Sequence, residues 1–134
     1  MNKFEIVIPG EPVPKARPRM GRGRVYTPEK TRAYDRLIRE YLRAKQARPL
    51  NGPLRVTIEA YRPIPKSMSK TDKALALLEK VRPVTKPDLD NYVKSVLDGC
   101  NGILYEDDNV VCEIVARKYY SDNPRLFLKV EEIG

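Results

Sequence analysis

Asp88, Asp90, Asp98, Glu106, Asp107 and Asp108 put six carboxylates within 21 residues of a chain whose net charge is +8. Acids gathered so densely repel one another unless a cation neutralises them, and an all-oxygen set without His or Cys donors suits Mg²⁺ or Mn²⁺. Magnesium keeps several of its waters and binds through a few carboxylates plus substrate phosphate, so three aspartates leave places for a phosphodiester and an attacking water. One or two such ions would polarise the phosphoryl oxygen, lower the pKa of the water and stabilise the leaving 3′ oxygen. Lys94, one turn after Asp90, sets a positive charge beside the pentavalent transition state. The absence of histidine from the chain excludes Ser-His-Asp and Cys-His chemistry, imidazole zinc sites and His-based nucleases.

This chemistry depends on convergence, which the flanking sequence permits. Asp88 to Cys100 is predicted to be helical, with Leu89, Val93, Val96 and Leu97 on one stripe, ended by Gly99 and the Asn101-Gly102 turn. Asp90, Lys94 and Asp98, four apart, form a polar ridge opposite that stripe, and Asp88 stands where the helix begins. The connection through Gly102-Ile103-Leu104-Tyr105 is short enough to return Asp107 and Asp108 to the first acids. A structural alternative stays open: Asp88 and Asp90 as helix caps, Asp98 paired with Lys94, and Asp107-Asp108 as turn residues.

The remaining elements follow from alternation and punctuation. Phe4 to Ile8 reads as a strand ended by Pro9-Gly10, and Val25-Tyr26 as a short one. Thr27-Pro28-Glu29 supplies an N-cap, a proline at the first helical position and an early acid for a helix over Pro28 to Lys45. Its apolar side is Ala33, Leu37, Ile38, Tyr41 and Leu42, and Arg32, Arg36, Arg39 and Arg43 take the other face, where they can meet DNA or solvent. A turn over Pro49 to Pro53 precedes a half-buried strand, Leu54 to Tyr61. The proline-rich loop Pro63 to Lys70 then leads to a helix opened by Ser69 and running through Lys80, whose Leu75, Leu77 and Leu78 are expected in the core in preference to a partner subunit. Val110 to Tyr119 and Arg125 to Val130 are two closing strands joined by the Ser121-Pro124 turn. The expected fold class is therefore α+β (mixed α/β): one domain over residues 1–134, with one small mixed sheet flanked by helices.

The charge is unevenly spread. Residues 1–50 hold 13 bases and 5 acids, whereas residues 51–134 hold 13 of each. Lys15, Arg17, Arg19, Arg22 and Arg24 lie in a Pro- and Gly-rich stretch that cannot be helical, which reads as an extended arm for gripping phosphates. Cys100, among polar loop residues, and Cys112, in an apolar run, are expected as reduced thiols of a cytoplasmic protein. No apolar stretch is long enough to span a bilayer, and Met1 to Ile8 lacks the length and order of a secretion signal, so none is expected.

At these residues the chain resembles the RusA family of Holliday-junction resolvases, endonucleases common in prophages. The resemblance is carried by Lys86-Pro-Asp88-Leu-Asp90-Asn91-x-x-Lys94-x-x-x-Asp98, Asn101-Gly102 and Asp107-Asp108-x-Val. A second stretch, Pro9-Gly10-Glu-Pro-Val-Pro-Lys15-x-Arg17-Pro-Arg19 with Tyr26-Thr27-Pro28, Lys30-Thr-Arg-x-Tyr34 and Pro65-Lys-Ser67, extends it over nearly the whole chain. It implies a homodimer that nicks opposed strands of four-way DNA junctions symmetrically with Mg²⁺, or Mn²⁺ in its place, in DNA recombination and repair. It also implies that Asp88, Asp90 and Asp108, with Asp107 a further candidate, hold the metal, and that Lys94 is the essential lysine. Pro87 stands where some relatives have a base, so a DNA contact there either passes to Lys86 or is lost. The rival reading is a non-catalytic nucleic-acid-binding recombination accessory protein.

Overall fold

Leu54, Val56, Ile58 and Ala60 are fully buried while Arg55, Thr57, Glu59 and Tyr61 between them are half-buried, the period of two that makes β4 (Leu54–Pro63) a strand with one face in the core. β4 is a central strand of a four-stranded sheet in the order β1-β6-β4-β5, with β1 at Lys3–Pro9, β5 at Val111–Ser121 and β6 at Arg125–Glu132. β6 pairs antiparallel with β1 and with β4, and β4 pairs parallel with β5, so the sheet is mixed. These features come from a computed structural model that describes residues 2–134 except Arg17, Pro18, Arg22 and Thr27, with backbone alone at Arg19, Met20 and residues 24–26.

α1 (Glu29–Ala44) and α3 (Leu89–Cys100) cover the buried face, and α2 (Lys70–Leu77) lies in the crossover between β4 and β5. Ile38 and Leu42 of α1 and Tyr92, Val96 and Cys100 of α3 join Ile6, Ile8, Val56, Ile58, Leu126, Leu128 and Val130 in one core. α1 and α3 approach closely at Gly99, where an added Cβ would lie 2.7 Å from Ile38 Cγ2. Gly99 is thus a contact inside α3 and not its terminator.

Several expectations change. The predicted extended arm contains a hairpin, β2 (Arg19–Gly21) against β3 (Arg24–Tyr26). Pro28 is the N-cap of α1 rather than its first helical residue, and the cap proposed at Thr27 lies outside the described residues. Ala33 is exposed, and Thr31 and Tyr34 are buried in its place: Thr31 Oγ1 accepts from Ala16 N, so the inward side of α1 is rotated toward the incoming arm. α3 is likewise rotated, with Tyr92, Ser95, Val96, Gly99 and Cys100 inward and Leu89, Val93 and Leu97 half-buried. α2 has Ser69 as its cap, accepting from Asp72 N at 3.1 Å, but it is short and buries only Ala76. Leu75, Leu77 and Leu78 are therefore exposed rather than core. The cysteines exchange places: Cys100 is buried on α3 and Cys112 exposed on β5, both as free thiols.

Candidate active site on helix α3

Asp88 occupies the N-cap position of α3 with extended backbone, yet its side chain makes no capping hydrogen bond. Asp88 thus takes the cap position that the structural alternative gave it, where its charge suits the helix dipole, but among the described residues its carboxylate has no hydrogen-bond partner and can turn to a ligand. It lines a cleft of about 540 Å³ together with Pro14, Lys15, Lys86 and Asn91, so an acid and two lysines face one opening. The loop before it is braced from β5: Lys118 Nζ donates to Thr85 O at 3.2 Å and to Pro87 O at 3.3 Å. Sequence reading missed this lysine, because nothing in its spacing relates a strand residue to a loop some thirty positions earlier.

Asp90 sits in the first turn of α3, exposed, with Lys94 Nζ 3.8 Å from its Oδ2. An exposed pair at that distance contributes little energy, so both groups can turn to a ligand. Asp98 is not paired with Lys94. Its Oδ2 lies 2.8 Å from Lys15 Nζ instead, and its carbonyl accepts from Arg39 Nη2 at 2.8 Å. Arg39 also donates to Asn101 O at 3.0 Å, closing the end of α3 from α1. Arg39 therefore faces protein, while Arg32 and Arg36 hold Glu29 at 2.7 and 2.6 Å and keep its carboxyl below the usual range, Arg36 most of all. Thr31, Arg32, Arg36, Arg39, Lys15 and Asp98 line a second cleft of about 480 Å³ between α1 and α3, and Lys15 borders both openings.

The connection after α3 does fold back. Tyr105 OH donates to Leu97 O at 2.9 Å. Burial pushes the Tyr105 phenol up, with Cys100, Asp108 and Asp98 reinforcing it, so Asp108 and Asp98 act on the same hydroxyl. Asp107 Oδ2 accepts from Asn109 N at 3.4 Å and caps the one-turn 3-10 helix Asp108–Val110, as the turn reading of Asp107 had it. Asp108, half-buried, begins that 3-10 helix. Among the described residues no three Asp, Glu or Cys side chains are placed to hold one metal ion, so the expected meeting of three acids at one point is not seen.

Of the predicted DNA contacts, Lys86 is exposed beside the Asp88 cleft, and Lys15 is committed to Asp98. Arg19 and Arg24 stand on β2 and β3, where backbone alone is described, and Arg17 and Arg22 lie outside the described residues.

The family model of Endodeoxyribonuclease RusA matches residues 9–131, a span that holds the arm, Asp88, Asp90, Lys94 and Asp108. The chain belongs to the RusA family. RusA proteins are endodeoxyribonucleases that resolve Holliday junctions, and the mixed sheet carrying α3 is the scaffold on which this member places its acids. The chain is also similar to the Uncharacterized protein YqaN of Bacillus subtilis (strain 168), 37% identical over 143 residues that cover 100% of this chain and 99% of that protein.

Proposed function

We propose that this RusA-family endonuclease is metal-dependent and resolves four-way junctions as a homodimer by paired, symmetric nicks, with Mg²⁺ as its ion and Mn²⁺ as a substitute. The observation that carries the reading is the uncapped Asp88 carboxylate, held at the start of α3 in a cleft flanked by Lys15 and Lys86. The donor chemistry fits: Asp88 and Asp90 are hard oxygen ligands in one helical turn, and magnesium binds through one or two carboxylates plus substrate phosphate. We assign the ion to this pair; Asp108 and Asp107, ligands by family resemblance, are not grouped with it among the described residues. When bound, such an ion polarises the scissile phosphate and makes its water a better nucleophile.

The chain's own groups do the rest. The cleft lies at the N-terminus of α3, where the helix dipole favours an anionic phosphate. Lys94, weakly held by Asp90, offers a positive charge to the phosphoryl oxygens one turn away. Lys86 holds the backbone beside the cut, and the arm bases Arg17, Arg19, Arg22 and Arg24 grip more distant phosphates, which positions DNA without reading sequence. Two cuts related by a two-fold axis need two sites so related, which is the case for a homodimer. The enzyme is assigned to the cytoplasm, where its DNA lies. Among the described residues no helix is long and apolar enough to cross a membrane.

A labelled synthetic four-way junction incubated with protein and Mg²⁺ tests the reading. Paired nicks near the crossover, lost on adding chelator, are the expected result. A junction left intact while saturated with protein and metal overturns it and favours the non-catalytic accessory reading.

A further inference from the structure

We propose that Asp98 is a positioning residue: through Lys15 it fastens the root of the basic N-terminal arm to α3, the helix that carries Asp88, Asp90 and Lys94. The inference rests on the endonuclease reading for its consequence in cutting, though the latch itself is a structural statement.

Three contacts tie the arm down where it passes the site. Lys15 Nζ meets Asp98 Oδ2 at 2.8 Å, Lys15 N donates to Asn91 O at 2.8 Å, and Ala16 N donates to Thr31 Oγ1 at 3.2 Å. The first two fix the arm to α3 and the third fixes it to α1. Asp98 is itself immobilised, because Arg39 of α1 grips its carbonyl and that of Asn101. It stands two turns from Asp90, about 12 Å along the axis. The residues that follow Lys15 therefore leave from a defined point relative to the carboxylates that would cut. A phosphate-gripping segment is useful to a nuclease only if grip and cut are in register, since misplacing a scissile bond by about 1 Å costs on the order of a hundredfold in rate.

Two other roles for these residues make opposite predictions. If Lys15 were chiefly a phosphate contact, Asp98 would compete with DNA for it, and removing the carboxylate would tighten binding. If Asp98 were a metal ligand, its loss would raise the Mg²⁺ requirement. The side chains of Lys15 and Asp98 are 35% and 41% exposed, so the pair is a modest clamp. Its loss should change affinity about two- to fivefold.

The test compares D98N, K15M, D98N/K15M and K15R with the parent chain, each first checked for a cooperative thermal transition, with K15M standing in should D98N fail to fold. Metal-free junction affinity, the distribution of nicks, the Mg²⁺ dependence of cutting, and the rate of tryptic cleavage after Arg19, Arg22 and Arg24 in the free protein are measured. The expected result is two- to fivefold weaker binding for D98N and K15M, nicks spread to neighbouring phosphates, and faster tryptic cleavage. The double variant should be no worse than either single one, K15R should match the parent, and the Mg²⁺ midpoint should not move. Tighter binding by D98N, a shifted Mg²⁺ midpoint, or unchanged tryptic rates overturns the latch. A parent protein that fails to cut overturns the endonuclease reading instead, while affinity and proteolysis still decide the latch.

Discussion

The aspartates that begin α3 are exposed groups with little to do for the fold, which makes them good subjects for substitution. Among the described residues Asp88 makes no capping bond and Asp90 has only a loose lysine partner. On the proposed reading, Asp90→Asn removes a ligand charge without adding repulsion toward DNA. Junction cutting should therefore fall by at least a hundredfold, while metal-free junction affinity and melting temperature stay unchanged. A parallel loss of binding or stability would mean that Asp90 holds the fold rather than the ion. The site was legible in sequence as far as types and spacing go, because Asp88, Asp90 and Lys94 lie on one helix whose period the apolar residues reveal. Asp108 was legible only as a candidate. Its place depends on how the connection of residues 101–107 turns, and that turn is set by Tyr105 reaching the Leu97 carbonyl, a contact with no local signature. Lys15 shows the same limit: its basic character suggested DNA, and only tertiary structure pairs it with Asp98.

At the level of elements, the contact of α1 with α3 decides how firmly the acid-bearing helix is held. Gly99→Ala would bring Cβ to 2.7 Å from Ile38 Cγ2 and 3.0 Å from Ile38 Cβ. Overpacking of that kind costs about 1–3 kcal/mol, partly offset by about 1 kcal/mol of helix propensity. The urea midpoint should fall with an unchanged slope, and the loss should be less than additive with that of Ile38→Ala. An unchanged midpoint would show that the helices separate freely. The same interface buries Tyr34, Cys100 and Tyr105, and burial raises all three: the Cys100 thiol from its ordinary 9.0 up to about 12, and the two phenols well above 10.0. Each binds its proton more tightly folded than unfolded. Their stabilisation is thus complete below about pH 9 and drains as pH rises from the unfolded values toward the folded ones. The melting temperature should hold to about pH 9 and fall steadily above it. Tyr34→Phe should lessen the fall, since among the described residues the buried Tyr34 hydroxyl has no partner. A melting temperature level through pH 11 would contradict these burials. α1 and α3 were readable from periodicity to within a residue, while α2 ends three residues before the expected Lys80, and the rotation of α1 and α3 was not readable: buried Thr31 and Tyr92 are amphipathic residues that simple apolar counting passes over.

For the molecule as a whole, strand identity was legible and strand neighbourhood was not. β5 and β6 are joined by a tight turn, yet β4 lies between them, because alternation tells a strand which face is inward and not which strand lies beside it. The charge division carried over more directly, with the basic N-terminal half supplying both the arm and α1 beside the acidic helix. Paired cutting is the property of the whole assembly that most needs testing. A homodimer with one active site per subunit makes two nicks in one encounter, so a supercoiled plasmid extruding a cruciform is converted straight to linear product. Mixing the parent with excess Asp90→Asn forms dimers with a single competent site if subunits exchange, which unfolding and refolding the two together ensures. At a ninefold excess of the variant most active dimers are mixed, and nicked circle should become the dominant product, with linear product falling more steeply than total cutting. If linear and nicked products instead fall in proportion as the variant is added, each chain cuts alone, and symmetry of the cleavage would have to come from the junction rather than from the protein.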